Sequence, residues 1–148
     1  AQLPFSTRDH LFAKLIPFVR DNEGTFSPRH LAVCLHAAAR VGLRDEALCK
    51  TVAARFTKNI SEIDALALTS AVYACGLLAF FHKPFFEAVA DFLESRLNKA
   101  AHSLESQQIS NIVYSFGKIG FCPNKCLQVV AHHASADFWR FKEQEVDN

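Results

Sequence analysis

Cys122, Cys126, His132 and His133 are the residues of this chain whose types and proximity come nearest to a metal site. Zinc accepts Cys pairs at C-x2–4-C spacing with His at a comparable remove, and the C-x3-C here is permitted. The segment from Pro123, however, reads as a regular helix with Cys126 on its buried face. Adjacent His132 and His133 then point about 100° apart around it, so no metal is expected. Catalysis has less to build on. There is no GxSxG elbow, no HExxH, no glycine-rich phosphate loop and no carboxylate pair that spacing would bring together. His10, His82 and His102 fall at surface or capping positions. The chain is therefore read as non-catalytic, with no cofactor and no small-molecule substrate.

The chemistry that does recur is arranged by a repeated phrase. Residues 26–43, 63–80 and 104–121 align without gaps as FSPRHLAVCLHAAARVGL, IDALALTSAVYACGLLAF and LESQQISNIVYSFGKIGF, at offsets of 37 and 41 residues. A period of this length is one helix pair that cannot bury its apolar face alone and must stack on neighbours. Tyr73 and Tyr114 occupy one register, with His36 at the equivalent place in the first copy. Rings at that register either stack on planar ligands or pack between adjacent units, as buried tyrosines usually do. Arg40 and Lys118 recur at the end of the same segment. A cation there either holds a phosphate or complements the helix dipole.

Apolar residues follow helical spacing within each phrase: Leu31, Cys34, Leu35 and Ala38; Leu68, Ala71, Val72 and Cys75; Ile109, Ile112, Val113 and Phe116. Ser27-Pro28, Asp64, and Ser103 or Ser106 read as helix starts. Gly42 and Gly120 read as left-handed C-caps, whereas Ala79 predicts a different ending for the second copy. Intervening segments carry a second apolar set: Leu48, Val52 and Phe56; Phe85, Val89, Phe92 and Leu93; Cys126, Leu127 and Val130. Pro17 should kink or shorten the first helix. The predicted helices cover 8–20, 27–41, 45–57, 64–78, 84–98, 104–119 and 123–135. Phe138, Trp139 and Phe141 form a partial cap in the charged tail. The expected fold is all-α: one domain, a short α-solenoid of about three helix-pair repeats (8–43, 44–80 and 81–121) plus a terminal half repeat (122–135) and a tail (136–148).

Composition sets bounds on function. The 148 residues include no apolar run long enough to span a bilayer. A net charge of +1 divides into nine Lys/Arg and five Asp/Glu over 1–60, against seven and ten over 61–148. That is far less basic than a dedicated nucleic-acid binder. Five cysteines, an odd number and partly inside apolar helical segments, favour a reducing compartment over a disulfide framework. The absence of Met points to a processed organellar protein or a fragment.

The third copy and its run-up, PFFEAVADFLESRLNKAAHSLESQQISNIVYSFGKIGF, resemble the helical repeats of organellar octotricopeptide and heptatricopeptide proteins, which also occur in FAST-kinase-like and RAP-domain proteins. The matching elements are Pro84, then Gln107-Gln108-Ile109-Ser110-Asn111, Val113-Tyr114-Ser115-Phe116 and Gly117-Lys118-Ile119-Gly120. The second copy keeps Val72-Tyr73-Ala74 and Leu77-Leu78, and the first keeps Arg40-Val41-Gly42. No RAP-domain signature is present.

The resemblance implies organellar RNA metabolism, with single-stranded or ribosomal RNA along a groove formed by one helix of each pair. It places the groove at Arg29 and His30, Leu66 and Ala67, and Gln107 and Gln108. Ala32, Thr69 and Ser110, then Val33, Ser70 and Asn111, come next. The RNA-binding candidates are Arg29, His30, Arg40, Ser70, Gln107, Gln108, Asn111 and Lys118. The implied setting is the mitochondrial matrix, in a ribonucleoprotein such as a mitochondrial ribosome, among other protein subunits. The alternative is a protein-only scaffold or an accessory subunit of a respiratory or ATP-synthase complex, which near-neutral charge favours.

Overall fold

A computed structural model describes residues 5–99 and 104–146, with side chains over 10–99 and 104–135. The described residues form seven α-helices and one 3-10 turn, without strand: α1 (Phe5–Asp21), α2 (Pro28–Arg40), α3 (Glu46–Lys58), α4 (Ala65–Leu77), α5 (Lys83–Leu97), α6 (Ser106–Ile119) and α7 (Asn124–Val146). None of them is long and apolar enough to cross a membrane.

The starts of α2 to α6 each have a local cause. Ser27 Oγ accepts from the His30 N–H (3.2 Å), Asp45 from Leu48 (2.7 Å) and Asp64 from Ala67 (2.8 Å), while His82 Nδ1 accepts from Phe85 (3.4 Å). α6 is capped by Glu105 rather than by a serine: Gln108 Oε1 reaches back to accept the Glu105 N–H at 3.0 Å. Ser106 is the first helical residue, and Ser103 lies outside the described residues.

The ends of α2, α4 and α6 are alike, which the alanine at position 79 had argued against. Leu43, Phe80 and Phe121 donate to the carbonyls of Ala38, Cys75 and Phe116, each at 2.9 Å, over residues in the left-handed region. Those residues are Gly42 (φ 74°), Ala79 (φ 50°) and Gly120 (φ 70°). Burial of Phe80 holds Ala79 in a conformation its Cβ disfavours. Ala79→Gly is therefore expected to stabilise the chain by about 0.5–1 kcal/mol. Relief of left-handed strain outweighs the extra freedom glycine brings to the unfolded chain. A urea midpoint that rises at unchanged m checks it.

α1 runs without interruption through Pro17 to Asp21, so the proline does not shorten it. α7 continues to Val146, past the expected end at residue 135. The proposed cap by Phe138, Trp139 and Phe141 falls on side chains outside the described set.

The helices pack in two rows. α2, α4 and α6 lie side by side, as do α1, α3, α5 and α7, and α2 and α4 also contact α3. The cause is the apolar stripes themselves. Leu31, Leu35, Leu68, Val72, Ile112 and Phe116 come from the even row, and Leu48, Val52, Phe56, Phe85, Phe86, Val89 and Leu93 from the odd row. All are buried in one core. α4 is the most enclosed helix, held between α2 and α6.

Candidate nucleic-acid interface

What the even helices turn to solvent is set by register. On α2 the stripe is Arg29, Val33, His36 and Arg40; on α4 it is Leu66, Ser70, Tyr73 and Leu77; on α6 it is Gln107, Asn111, Tyr114 and Lys118. Each set is spaced i, i+4, i+7, i+11, one face of a helix. All twelve are exposed or half-buried. Side-by-side packing of α2, α4 and α6 converts three stripes into four rows running across the helices.

The third row is a ladder of rings. His36 and Tyr73 meet edge to face at 5.8 Å between centroids, and Tyr73 and Tyr114 lie tilted by 36° at 5.9 Å. Tyr114 ends the ladder with 49% of its surface exposed. The rings do pack between neighbouring helices, yet neither hydroxyl has a hydrogen bond among the described residues. His36 is held neutral at neutral pH: burial and then the charge of Arg40 lower its pKa. Its Nε2 is buried without a hydrogen-bond partner among the described residues.

Arg40 and Lys118 flank the ladder, and Arg29 stands two turns away on α2. α2, α4 and α6 contain no Asp or Glu; every carboxylate within the helices belongs to the odd row. This separation was present in the sequence but became a signal only once the helices of one row were known to adjoin. Asp64 and Glu105, which immediately precede α4 and α6, are N-caps.

The eight candidate residues do not all share the face. Arg29, Arg40, Ser70, Gln107, Asn111 and Lys118 do, and Gln107 Nε2 donates to Asn111 Oδ1 at 3.0 Å. Gln108 is half-buried with its carbonyl oxygen committed to the cap. His30 is exposed on the flank of α2, at the register where Ala67 is buried. Ala32 and Thr69 are also buried, so they are packing positions and not groove positions. Thr69 Oγ1 donates to the Ala65 carbonyl at 2.7 Å. The residues that spacing undervalued are the apolar members of the face, Val33 and Leu66, 58% and 52% exposed.

Four of the five thiols lie in the core or packed against it. Burial pushes Cys49 and Cys126 up to about 11, and Cys34 and Cys75 upward as well, leaving them protonated at neutral pH. Among the described residues no three His, Cys, Asp or Glu side chains converge as metal ligands. No family model matches the chain, and no curated protein is significantly similar to it.

Proposed function

We propose that the two rows of helices are a short α-solenoid of about three helix pairs and a half unit. In this reading the even-row face binds single-stranded RNA, and the chain is a non-catalytic component of an organellar ribonucleoprotein. The equivalent registers of the three phrases, and the packing of every second helix, support the solenoid. The observation that carries RNA is the His36–Tyr73–Tyr114 ladder, set between cations on a surface whose helices hold no carboxylate. Ring faces stack bases irrespective of sequence, and cations track the backbone. Gln107 and Asn111 supply amide groups that pair with base edges. Resemblance of the third copy to octotricopeptide and heptatricopeptide repeats supports the organellar setting, with a mitochondrial ribosome as the favoured assembly.

The test is titration of the chain with labelled single-stranded RNA across a salt series. Three cations on the face predict a log–log salt slope of about −2, each phosphate neutralised on a single strand contributing roughly −0.7. Tyr114→Ala should weaken binding about fivefold, at the low end for a stacked base because the ring is half-exposed. Arg40→Gln should flatten the slope by about 0.7. Absence of binding at low salt would overturn the RNA reading and leave Val33, Leu66 and Leu77 as the anchor of a protein-only scaffold.

A further inference from the structure

Two clefts open where an odd helix hands the chain to the next even one. The first lies between the 3-10 turn Glu23–Thr25 and α3, the second between Ile60-Ser61 and α5. They occupy the same place in successive helix pairs. At an offset of 37 residues, seven of the eight positions lining the first also line the second. What differs is charge. Lys50, Arg55 and Lys58 line the first cleft, whereas Glu87, Phe92 and Ser95 take those registers on α5 and Asp91 stands in place of Ala54. The second cleft has two cations, Arg96 and Lys99, and Arg96 is laid over the Phe92 ring at 5.0 Å.

The first cleft measures about 640 Å³, within the range of small-ligand sites. Half-buried Arg55 donates to the Glu23 carbonyl, which ties its guanidinium to the opposite wall and leaves most of the donor fork unspent. Among the described residues neither Arg55 nor Lys58 has an ion pair, and Lys50 has only exposed Glu46 at 3.6 Å. The half-buried Thr51 hydroxyl has no hydrogen bond there, and the Gly24 N–H has no acceptor. Glu23, exposed and paired with none of the three cations, is the one carboxylate in the lining. Converging donors without acceptors, under a positive local field, suit an anion. Lys50 and Lys58 stand about 12 Å apart along the helix axis, more than a single phosphate covers. We propose that this cleft binds a ligand with two or more linked phosphoryl groups, held centrally by Arg55 and Thr51 and at its ends by Lys50 and Lys58. A free polyphosphate compound and a nucleic-acid backbone both carry that chemistry. The proposal is independent of the RNA reading, since the cleft shares no residue with the even-row face.

The test titrates the intact, isotope-labelled chain with inorganic tripolyphosphate and follows it by NMR. Saturable shifts at Gly24, Thr51 and Lys58 are expected, with orthophosphate at least about tenfold weaker. Arg55→Gln should weaken binding about tenfold. Lys58→Ser should weaken it about threefold, because the side chain is exposed, and should leave the unfolding midpoint in place. That second variant keeps the test decisive if Arg55→Gln loosens the turn. Arg96→Gln, in the other cleft, should change nothing. Single-stranded RNA that displaces tripolyphosphate from Gly24 and Thr51 would identify a nucleic-acid backbone as the source. Tripolyphosphate that stays bound would identify a free phosphate compound. Equal shifts at Ser61 and Ala88, or affinity indifferent to both Arg55→Gln and Lys58→Ser, would show diffuse attraction to surface cations and overturn the proposal. So would the absence of shifts. Tyr114→Ala reads the even-row face alone, so either reading can fail without the other.

Discussion

Phe86→Ala is expected to remove about 4 kcal/mol of stability, the largest loss from any single truncation among the described residues. Phe86 is fully buried on α5, with ring neighbours Phe81 (5.7 Å), Phe85 (5.4 Å), Phe116 (6.1 Å) and Phe121 (6.1 Å). Those neighbours come from the α4–α5 connection, from α5, from α6 and from the connection after it. One side chain therefore joins the two rows, and its deletion leaves a cavity that four rings cannot close together. Edge-to-face contacts add to the area term. A chain of this size holds on the order of 5–15 kcal/mol in all. The melting temperature should fall by roughly 10 °C. Phe81→Ala, at a half-exposed ring of the same cluster, should lower stability by only about 1 kcal/mol. Equal losses at both positions would contradict the packing described.

Gly76→Ala and Gly117→Ala should have opposite signs although the two glycines hold the same register on α4 and α6. A Cβ on Gly76 would sit 2.9 Å from Ser115 Cβ and 3.0 Å from its Cα. Ser115 is fully buried, and its hydroxyl donates to the Asn111 carbonyl at 2.7 Å, so it cannot swing aside. The two helices would have to separate. Overpacking of this kind costs about 1–3 kcal/mol, more than the helix propensity alanine restores, roughly 1 kcal/mol. The net loss is expected near 1 kcal/mol, and α4–α6 separation should also weaken the Tyr73–Tyr114 contact and RNA binding with it. At Gly117 a Cβ meets nothing within 4 Å. Only the propensity term remains, and the substitution should stabilise by about 0.5–1 kcal/mol. Denaturant midpoints measured side by side check both signs. A stabilising Gly76→Ala would mean that α4 and α6 are not in close contact.

The helices themselves were legible in the sequence. Apolar spacing, Ser27, Asp64, Pro84 and the glycines at 42 and 120 placed the boundaries of α2 to α6 within two residues. These are local effects: each cap satisfies a backbone donor or carbonyl a few residues away, so the information lies within one turn. Ala79 was misread because the determinant is not its own preference but the burial of Phe80, a gain from tertiary packing that exceeds the local strain. The Glu105 cap was missed because the reciprocal bond from Gln108 makes the start and neither residue signals it alone.

Of the proposed interface, the sequence determined its ingredients: the shared register of His36, Tyr73 and Tyr114, the cations Arg40 and Lys118, and the amides of α6. Which of them face solvent was decided only by the assembled rows. Neighbours on either side of α4 bury Ala67 and Thr69, while a missing neighbour leaves His30 and Ser110 open at the same registers. A helix repeats its side-chain directions every few residues whatever surrounds it. What lies in each direction is supplied by segments about 40 residues away, and no local pattern records it.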